Sequence, residues 1–374
     1  MKFLIIINGW ISGISGGDYH ILKVAQHWSG KADILLFAPA TAQQTINEIM
    51  KTKATLIRTP FSHSKPRRSI VAFTYILRLL TAILQLPKVK VEFVVCSSHF
   101  LYDIIPAICM QWRNPSMRII VYYHGLRVPE ESLAMRILRR LNDFIGAMLI
   151  ARYAYVVFSI HPVVSEYLKK HGVEESRIIP TDNGVDLIRV DEKKEKVLDA
   201  CFMERLVSSK GVFDLLEIWK QVTLARPAAR LAIIGTGPEV NRMNEFIKRE
   251  SLNNNISMLG YLSDERFQIL QGSRLFLFPS YSEAWPLSIV EAMSCGLPVI
   301  AYDIPNLRTV WKDNIFFVPL SDISFFVSSI QKLLADDDLR TVFSKQGLTW
   351  SGNHLWEEIA DREFNTIVGS SLNE

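Results

Sequence analysis

The chain has 374 residues, 49 % of them hydrophobic and 21 % charged, with a formal net charge of +4. That balance excludes a disordered or collagen-like polypeptide, and the length predicts two domains. Cys96, Cys109, Cys201 and Cys295 have neither metal-ligand nor disulfide-framework spacing, so a reducing, cytoplasmic setting is expected, and no apolar run approaches the ~20 residues of a membrane span.

MKFLIII opens like a signal peptide, but its apolar run is too short and Asn8-Gly9 stops it, so 3–7 reads as a buried strand. Gly13, Gly16 and Gly17 then precede a helix with Ile21, Leu22, Val24, Ala25 and Trp28 on its apolar face. Such a turn brings backbone N–H groups to a sheet edge, where they can meet a phosphate or an acceptor. An ordinary flexible turn has the same composition. Apolar runs near 3–7, 33–38, 54–58, 92–96, 118–123 and 155–159 alternate with helical patterns, a βαβ rhythm that predicts a parallel sheet.

His124 follows the apolar run 119–123, at the strand end that faces the ligand crevice in open α/β sheets. A lone histidine there is also what a structural hydrogen bond requires. His99 and Asp103, in CSSHFLYD, occupy another strand end and are weaker candidates. The remaining histidines have no metal spacing.

Charge is uneven. Residues 1–188 carry 22 Lys and Arg against 13 Asp and Glu, a net +9, and the remainder nets −5. The basic excess gathers in 63–69, HSKPRRS, and in 133–155, where Arg136, Arg139, Arg140 and Arg152 stand among apolar residues. A stretch of this kind can lie on anionic lipid, or it can be a core helix with a solvated basic face. No nucleic-acid motif accompanies the charge, so no nucleic-acid partner is expected.

Asn183-Gly184 and the charged 191–196, DEKKEK, mark a domain boundary near 188. A second strand series follows near 198–203, 231–234, 256–259, 275–278, 298–301 and 315–318. Arg205 and Lys210 fall between strand 198–203 and a helix starting near Val212. Arg offers a fork and Lys a point charge to phosphate oxygens. Gly235 and Gly237 end strand 231–234 and allow close backbone approach to a ligand. NISMLGYLSDERFQIL reads as strand, turn and helix, with Ser263 or Asp264 as the cap. In FPSYSEAWPLSIVEAMSCGLPVIA, Glu283 precedes a helix that Pro286 starts and Gly296 and Pro298 end. The N–H groups of Leu287, Ser288 and Ile289 form an anion site at its start, and Glu291 lies about 7–8 Å further along at 1.5 Å per residue. That layout suits sugar, diphosphate and ribose in sequence. Two solvated glutamates are the alternative on spacing alone.

Together these four segments, in this order, resemble glycosyltransferase family 4, the retaining nucleotide-sugar enzymes of the GT-B fold, over essentially the whole chain. The E-x7-E element falls on Glu283 and Glu291 and the R-x4-K pair on Arg205 and Lys210. The resemblance implies two Rossmann-like domains with parallel sheets facing a central cleft: 1–188, completed by a crossover helix at 355–374, and a donor-binding domain at 189–354. It implies that Gly16 and Gly17 border the donor diphosphate, that His124 lies near the donor sugar, and that Gly235–Gly237, Leu259 and Tyr261 contact the nucleoside. Glu283 would hold the donor sugar and Glu291 the ribose. The expected reaction is metal-independent retaining transfer from a UDP- or GDP-sugar to a glycan or lipid-linked acceptor, in the cytoplasm, with closure of the domains excluding water. For a lipid-linked acceptor, attachment of the basic stretches to the inner face of the cytoplasmic membrane would be useful. A sugar-nucleotide epimerase or a non-catalytic partner subunit would share the cleft. Ala284-Trp285-Pro286 departs from the family's E-G-F-G, beside the sugar subsite.

Overall fold

The computed structural model describes residues 1–9, 15–51, 55–59, 68–125, 133–186, 188, 190, 194–283 and 285–369. The chain forms two compact units, Met1–Asn183 with Trp356–Glu374, and Gly184–Leu355.

Unit 1 alternates strands and helices: β1 (Lys2–Ile6), α1 (Gly16–Trp28), β2 (Asp33–Pro39), α2 (Gln43–Met50), β3 (Thr55–Thr59), α3 (Arg68–Gln85), β4 (Phe93–Cys96), α4 (Leu101–Arg113), β5 (Arg118–Tyr123), α5 (Leu133–Tyr153), β6 (Ala154–Ser159), α6 (Pro162–Lys170) and β7 (Ile178–Pro180). The strands pair in parallel in the order β3-β2-β1-β4-β5-β6-β7. β1 and β4 are almost wholly buried, as expected of parallel strands covered on both faces. Strand β7 escapes sequence reading because three residues carry no periodicity.

The C-terminal helix Trp356–Gly369 packs against α1 in this unit. Trp28 Nε1 donates to the Ala360 carbonyl at 2.8 Å, and Phe364 packs on Trp28 and Phe3. Glu363 is buried and serves three side chains. Tyr122 Oη donates to its Oε2 at 2.5 Å, Thr181 Oγ1 donates to its Oε1, and His20 Nε2 stands 3.3 Å from Oε1. His20 Nδ1 is 2.8 Å from Asn183 Oδ1, so the cluster ties α1, β5, the segment after β7 and the C-terminal helix together.

Unit 2 repeats the pattern: β8 (Leu198–Met203), α7 (Val212–Ala225), β9 (Leu231–Ile234), α8 (Val240–Arg249), β10 (Ile256–Gly260), α9 (Arg266–Gln271), β11 (Ser273–Phe278), α10 (Leu287–Ser294), β12 (Val299–Tyr302), α11 (Pro305–Trp311), β13 (Phe316–Val318), α12 (Ile323–Ala335) and α13 (Asp337–Gly352). Its parallel order is β10-β9-β8-β11-β12-β13. Phe202, Trp219, Leu277 and Phe326 sit in its main core. Among the described residues no helix is long and apolar enough to cross a membrane.

Two expectations about helix starts are corrected. Pro286 is not the first helical residue: its ψ of 119° is extended, and α10 begins at Leu287. Trp285, just before it, is buried against Trp311 and Trp350. Neither Ser263 nor Asp264 caps α9. Glu265 precedes that helix without a side-chain cap, and the Ser263 carbonyl accepts from Arg266 Nη1.

Replacing Glu363 by Ala would strand two hydroxyls and an imidazole in the interior. The expected loss is on the order of 3 kcal/mol, with Glu363→Gln costing less. Urea denaturation followed by hydrogen exchange of the β1 and β5 amides measures it, and an unchanged midpoint would contradict the role given to this carboxylate.

Candidate active site

In unit 2 successive crossovers run toward one sheet edge from β8 and toward the other from β11. The loops after these neighbouring strands therefore flank the point where strand order reverses, the place where open α/β sheets bind ligands. Arg205 and Lys210 follow β8, and Glu283 follows β11.

Backbone contact brings the two loops together. Gly211 has φ +67°, and a Cβ there would lie 1.8 Å from the Pro279 carbonyl oxygen, so glycine is required. Tyr281 N–H donates to the Ser209 carbonyl at 3.0 Å, and Ser280 Oγ lies 3.2 Å from the same oxygen. Lys210 Nζ is thereby held 2.6 Å from Glu283 Oε1 and 2.9 Å from Glu204 Oε2. Ser280 Oγ also donates to Glu283 Oε1 at 2.6 Å, and Asn306 Nδ2 donates to the Glu283 carbonyl. Glu283 Oε2 has no hydrogen bond among the described residues and is free to accept one from a ligand hydroxyl.

Burial works against the Lys210 charge, but Glu204 and Glu283 outweigh it and hold the ammonium above the ordinary lysine range. Burial pushes the Glu283 carboxyl up, Lys210 opposes, and the Glu204 carboxylate adds to the rise. Glu204 escaped the sequence analysis. Its only signal is its place at the C-terminal end of β8, next to Arg205. Its Oε1 accepts from Ser288 Oγ at 2.5 Å, which links Lys210 to the first turn of α10. Arg205 is exposed and makes no ion pair among the described residues. Leu287 occupies the same turn.

Glu291 keeps different company. Arg266, also missed in the sequence, donates Nε to its Oε2 at 3.0 Å and Nη2 to its Oε1 at 2.8 Å. This bidentate grip fixes the carboxylate yet leaves each oxygen a second lone pair. The close approach read for Gly235 and Gly237 is made by the chain itself. A Cβ on Gly235, whose φ is +141°, would lie 1.9 Å from the Glu204 carbonyl oxygen, and one on Gly237 2.1 Å from that of Leu206. These glycines seat the Arg205 loop. On edge strand β10 Leu259 is exposed, and Tyr261 just beyond it is 70 % exposed.

Unit 1 has its own reversal point, at β1 and β4. Ser15 caps α1: Asp18 N–H donates to Ser15 Oγ at 3.1 Å, and Ser15 N–H donates back to the Asp18 carboxylate. That cap positions Gly16, the exposed first residue of α1, and Gly17 after it. A Cβ on Gly17 would meet His124 Cδ2 at 2.6 Å, so this glycine makes room for the ring. His124 Nε2–H donates to the Ser97 carbonyl at 3.0 Å, and Nδ1 is a buried acceptor without a partner among the described residues. Burial, with His20 adding to it, lowers His124 to about 3, so the ring is neutral. His99 is buried, stacked on Tyr123 and 3.0 Å from Asp143, which is a structural role. Asp103 is buried beneath Asn8 and Ser98, and burial pushes it up to about 8. Gly13, residues 63–67 and Ala284 lie outside the described residues.

The two parallel-sheet units define the GT-B fold. Residues 186–350 match the family described as Glycosyl transferases group 1. An uncharacterized glycosyltransferase of Methanocaldococcus jannaschii is 38 % identical over 99 residues, 26 % of this chain and 24 % of that protein. O-antigen chain mannosyltransferase B of Escherichia coli is 30 % identical over 169 residues, 44 % of each chain. The chain thus spans less than half the length of these curated relatives. Among solved structures, Anabaena HepE in complex with UDP and glucose superposes with a TM-score of 0.76 at 17 % identity, covering 99 % of this chain and 100 % of that one. Sucrose-phosphate synthase from Thermosynechococcus elongatus gives 0.77 at 17 % identity, with both chains fully covered.

The His124 shift has a consequence for stability. Its unfolded value near 6.5 exceeds the folded value of about 3, so between these limits the unfolded chain binds more protons. Stability should fall as pH drops from about 6.5 toward 3, by up to about 1.4 kcal/mol per pH unit. His124→Gln should flatten that slope in denaturation midpoints measured across the window, and identical slopes would contradict a neutral, buried ring.

Proposed function

We propose that this chain is a retaining, metal-independent glycosyltransferase of family 4. In this reading it moves a sugar from a UDP- or GDP-sugar to a hydroxyl of a glycan or lipid-linked acceptor during cell-surface polysaccharide synthesis. The observation that carries the reading is the partly buried Lys210 ammonium, beside Glu283 and linked through Glu204 to the first turn of α10, at the reversal point of the unit 2 sheet. A cation fixed there suits the negative charge that develops on a departing diphosphate. HepE, of the same fold, is described in complexes with UDP and with UDP-glucose.

The geometry supports the following assignment of roles. Lys210 and Arg205 stabilise the leaving diphosphate, with the N–H groups of Leu287 and Ser288 at its phosphates. Glu291, oriented by Arg266, accepts from the ribose hydroxyls, and Leu259 and Tyr261 contact the base. Glu283 Oε2 accepts from a donor-sugar hydroxyl. Gly235 and Gly237 act indirectly, by seating the Arg205 loop. Gly16, Gly17 and His124 keep the roles that the resemblance implies, His124 offering its bare Nδ1 to a sugar hydroxyl. The anomeric carbon–oxygen bond breaks toward the diphosphate. The acceptor oxygen bonds to the same face of that carbon, and its proton passes to a leaving phosphate oxygen.

Lys210→Ala should cut kcat/KM for transfer about 10²–10³-fold, the scale of losing one charge-stabilising donor. A thermal-shift panel of UDP-, GDP- and ADP-sugars selects the donor for that assay. Wild-type rates in both Lys210→Ala and Glu283→Ala would refute the proposal.

Peripheral attachment to an anionic bilayer is part of this reading. Along α5, Asp143, Ala147 and Ile150 face the core. Ile137, Leu141, Phe144 and Met148 recur on the opposite face at 47–58 % exposure, and Arg136, Arg140 and Arg152 are exposed on the same helix. An apolar stripe flanked by arginines in the half of the chain that nets +9 complements anionic headgroups. Co-sedimentation with phosphatidylglycerol vesicles should weaken with salt and in Phe144→Glu/Met148→Glu, and no binding at low salt would exclude the attachment.

A further inference from the structure

Lys210 has two carboxylate partners, but they differ in how they are held. Glu283 is pinned: Ser280 donates to the same oxygen that meets Lys210, and Asn306 secures its carbonyl. Among the described residues the Glu204 carboxylate rests on two contacts, Lys210 Nζ at 2.9 Å and Ser288 Oγ at 2.5 Å. Its backbone is fixed, because its carbonyl fills the space where Gly235 lacks a side chain, so only the side chain can move. The reading above assigns Lys210 to the diphosphate, and the Ser288 hydroxyl lies in the helix turn whose N–H groups that reading places at the phosphates. One ammonium faces two carboxylates, so the Glu204 carboxylate places negative charge where a further anion would bind and repels it. A carboxylate spanning a lysine and the first turn of a helix is also a fair mimic of a phosphate in the same place.

We propose that Glu204 is an internal competitor for the diphosphate subsite. Its carboxylate occupies Lys210 and Ser288, swings aside when a nucleoside diphosphate moiety binds, and returns to help expel the nucleoside diphosphate product. The proposal rests on the donor-binding reading of this site and adds a control on affinity to it. Exchange of one anion for another at Lys210 keeps the buried ammonium paired throughout, so binding requires no interval with an uncompensated buried charge.

The test is calorimetric titration of full-length wild type, Glu204→Gln, Glu204→Ala and Lys210→Ala with UDP and GDP, and with uridine and guanosine as neutral controls. Circular dichroism establishes that each variant is folded. Both Glu204 variants should bind the preferred diphosphate about tenfold more tightly than wild type, the scale of relieving one close charge repulsion, and should bind the matching nucleoside unchanged. In transfer assays they should show a lower donor KM and stronger inhibition by the nucleoside diphosphate. If wild type binds a diphosphate, Lys210→Ala abolishes it, and the Glu204 variants bind equally or more weakly, Glu204 merely orients Lys210 and the proposal falls while the donor reading stands. If no protein in the set binds either diphosphate, both fall together.

Discussion

A lysine ammonium withdrawn from water needs charged oxygen partners, and the way Lys210 obtains them organises unit 2. Its partners come from separate strand ends, Glu204 closing β8 and Glu283 following β11. They meet only because Gly211 lets the 208–211 turn press on Pro279, and because Gly235 and Gly237 admit the 204–206 backbone. A side chain at any of the three would drive these loops apart. The glycines therefore act at one remove from chemistry: they set the spacing of a charge cluster.

Both sheets reverse strand order, unit 1 at β1/β4 and unit 2 at β8/β11. Loops at such points are splayed by the diverging crossovers, and their backbone N–H groups and polar side chains are left facing a crevice. Unit 2 fills this position with charge. Unit 1 fills it with neutral groups: a histidine held by a carbonyl, and an Asp103 pushed up to about 8 by burial. The contrast follows solvation. Lys210 has carboxylates within 3 Å to sustain its charge, whereas burial dominates at His124 and Asp103 and favours their uncharged forms.

Much was legible before any coordinates. Strand β8 falls on the residues its apolar run predicts, and β9 likewise, because a parallel strand buried on both faces must be apolar throughout. Helix starts were less legible. Pro286 looks like a first helical residue, yet its backbone is extended and continues from Trp285, which packs on Trp311 and Trp350, so the helix begins one residue later. No local rule reports a tryptophan pocket built by residues 26 and 65 positions away. Glu204 and Arg266 were invisible for the same reason: their significance lies in partners at Ser288 and Glu291.

The sequence by itself determined the alternation of buried strands and amphipathic helices, the two-part chain, and the basic and acidic residues available at strand ends, since these follow from periodicity and local composition. Tertiary structure alone decided which charges pair. It put Lys210 between two carboxylates, turned Glu291 toward Arg266, buried Glu363 among Tyr122, Thr181 and His20, and left one face of α5 apolar and exposed. The physical reason is range. Hydrophobic periodicity is written in neighbouring residues, whereas ion pairing and burial depend on distances between residues that the chain joins only by folding.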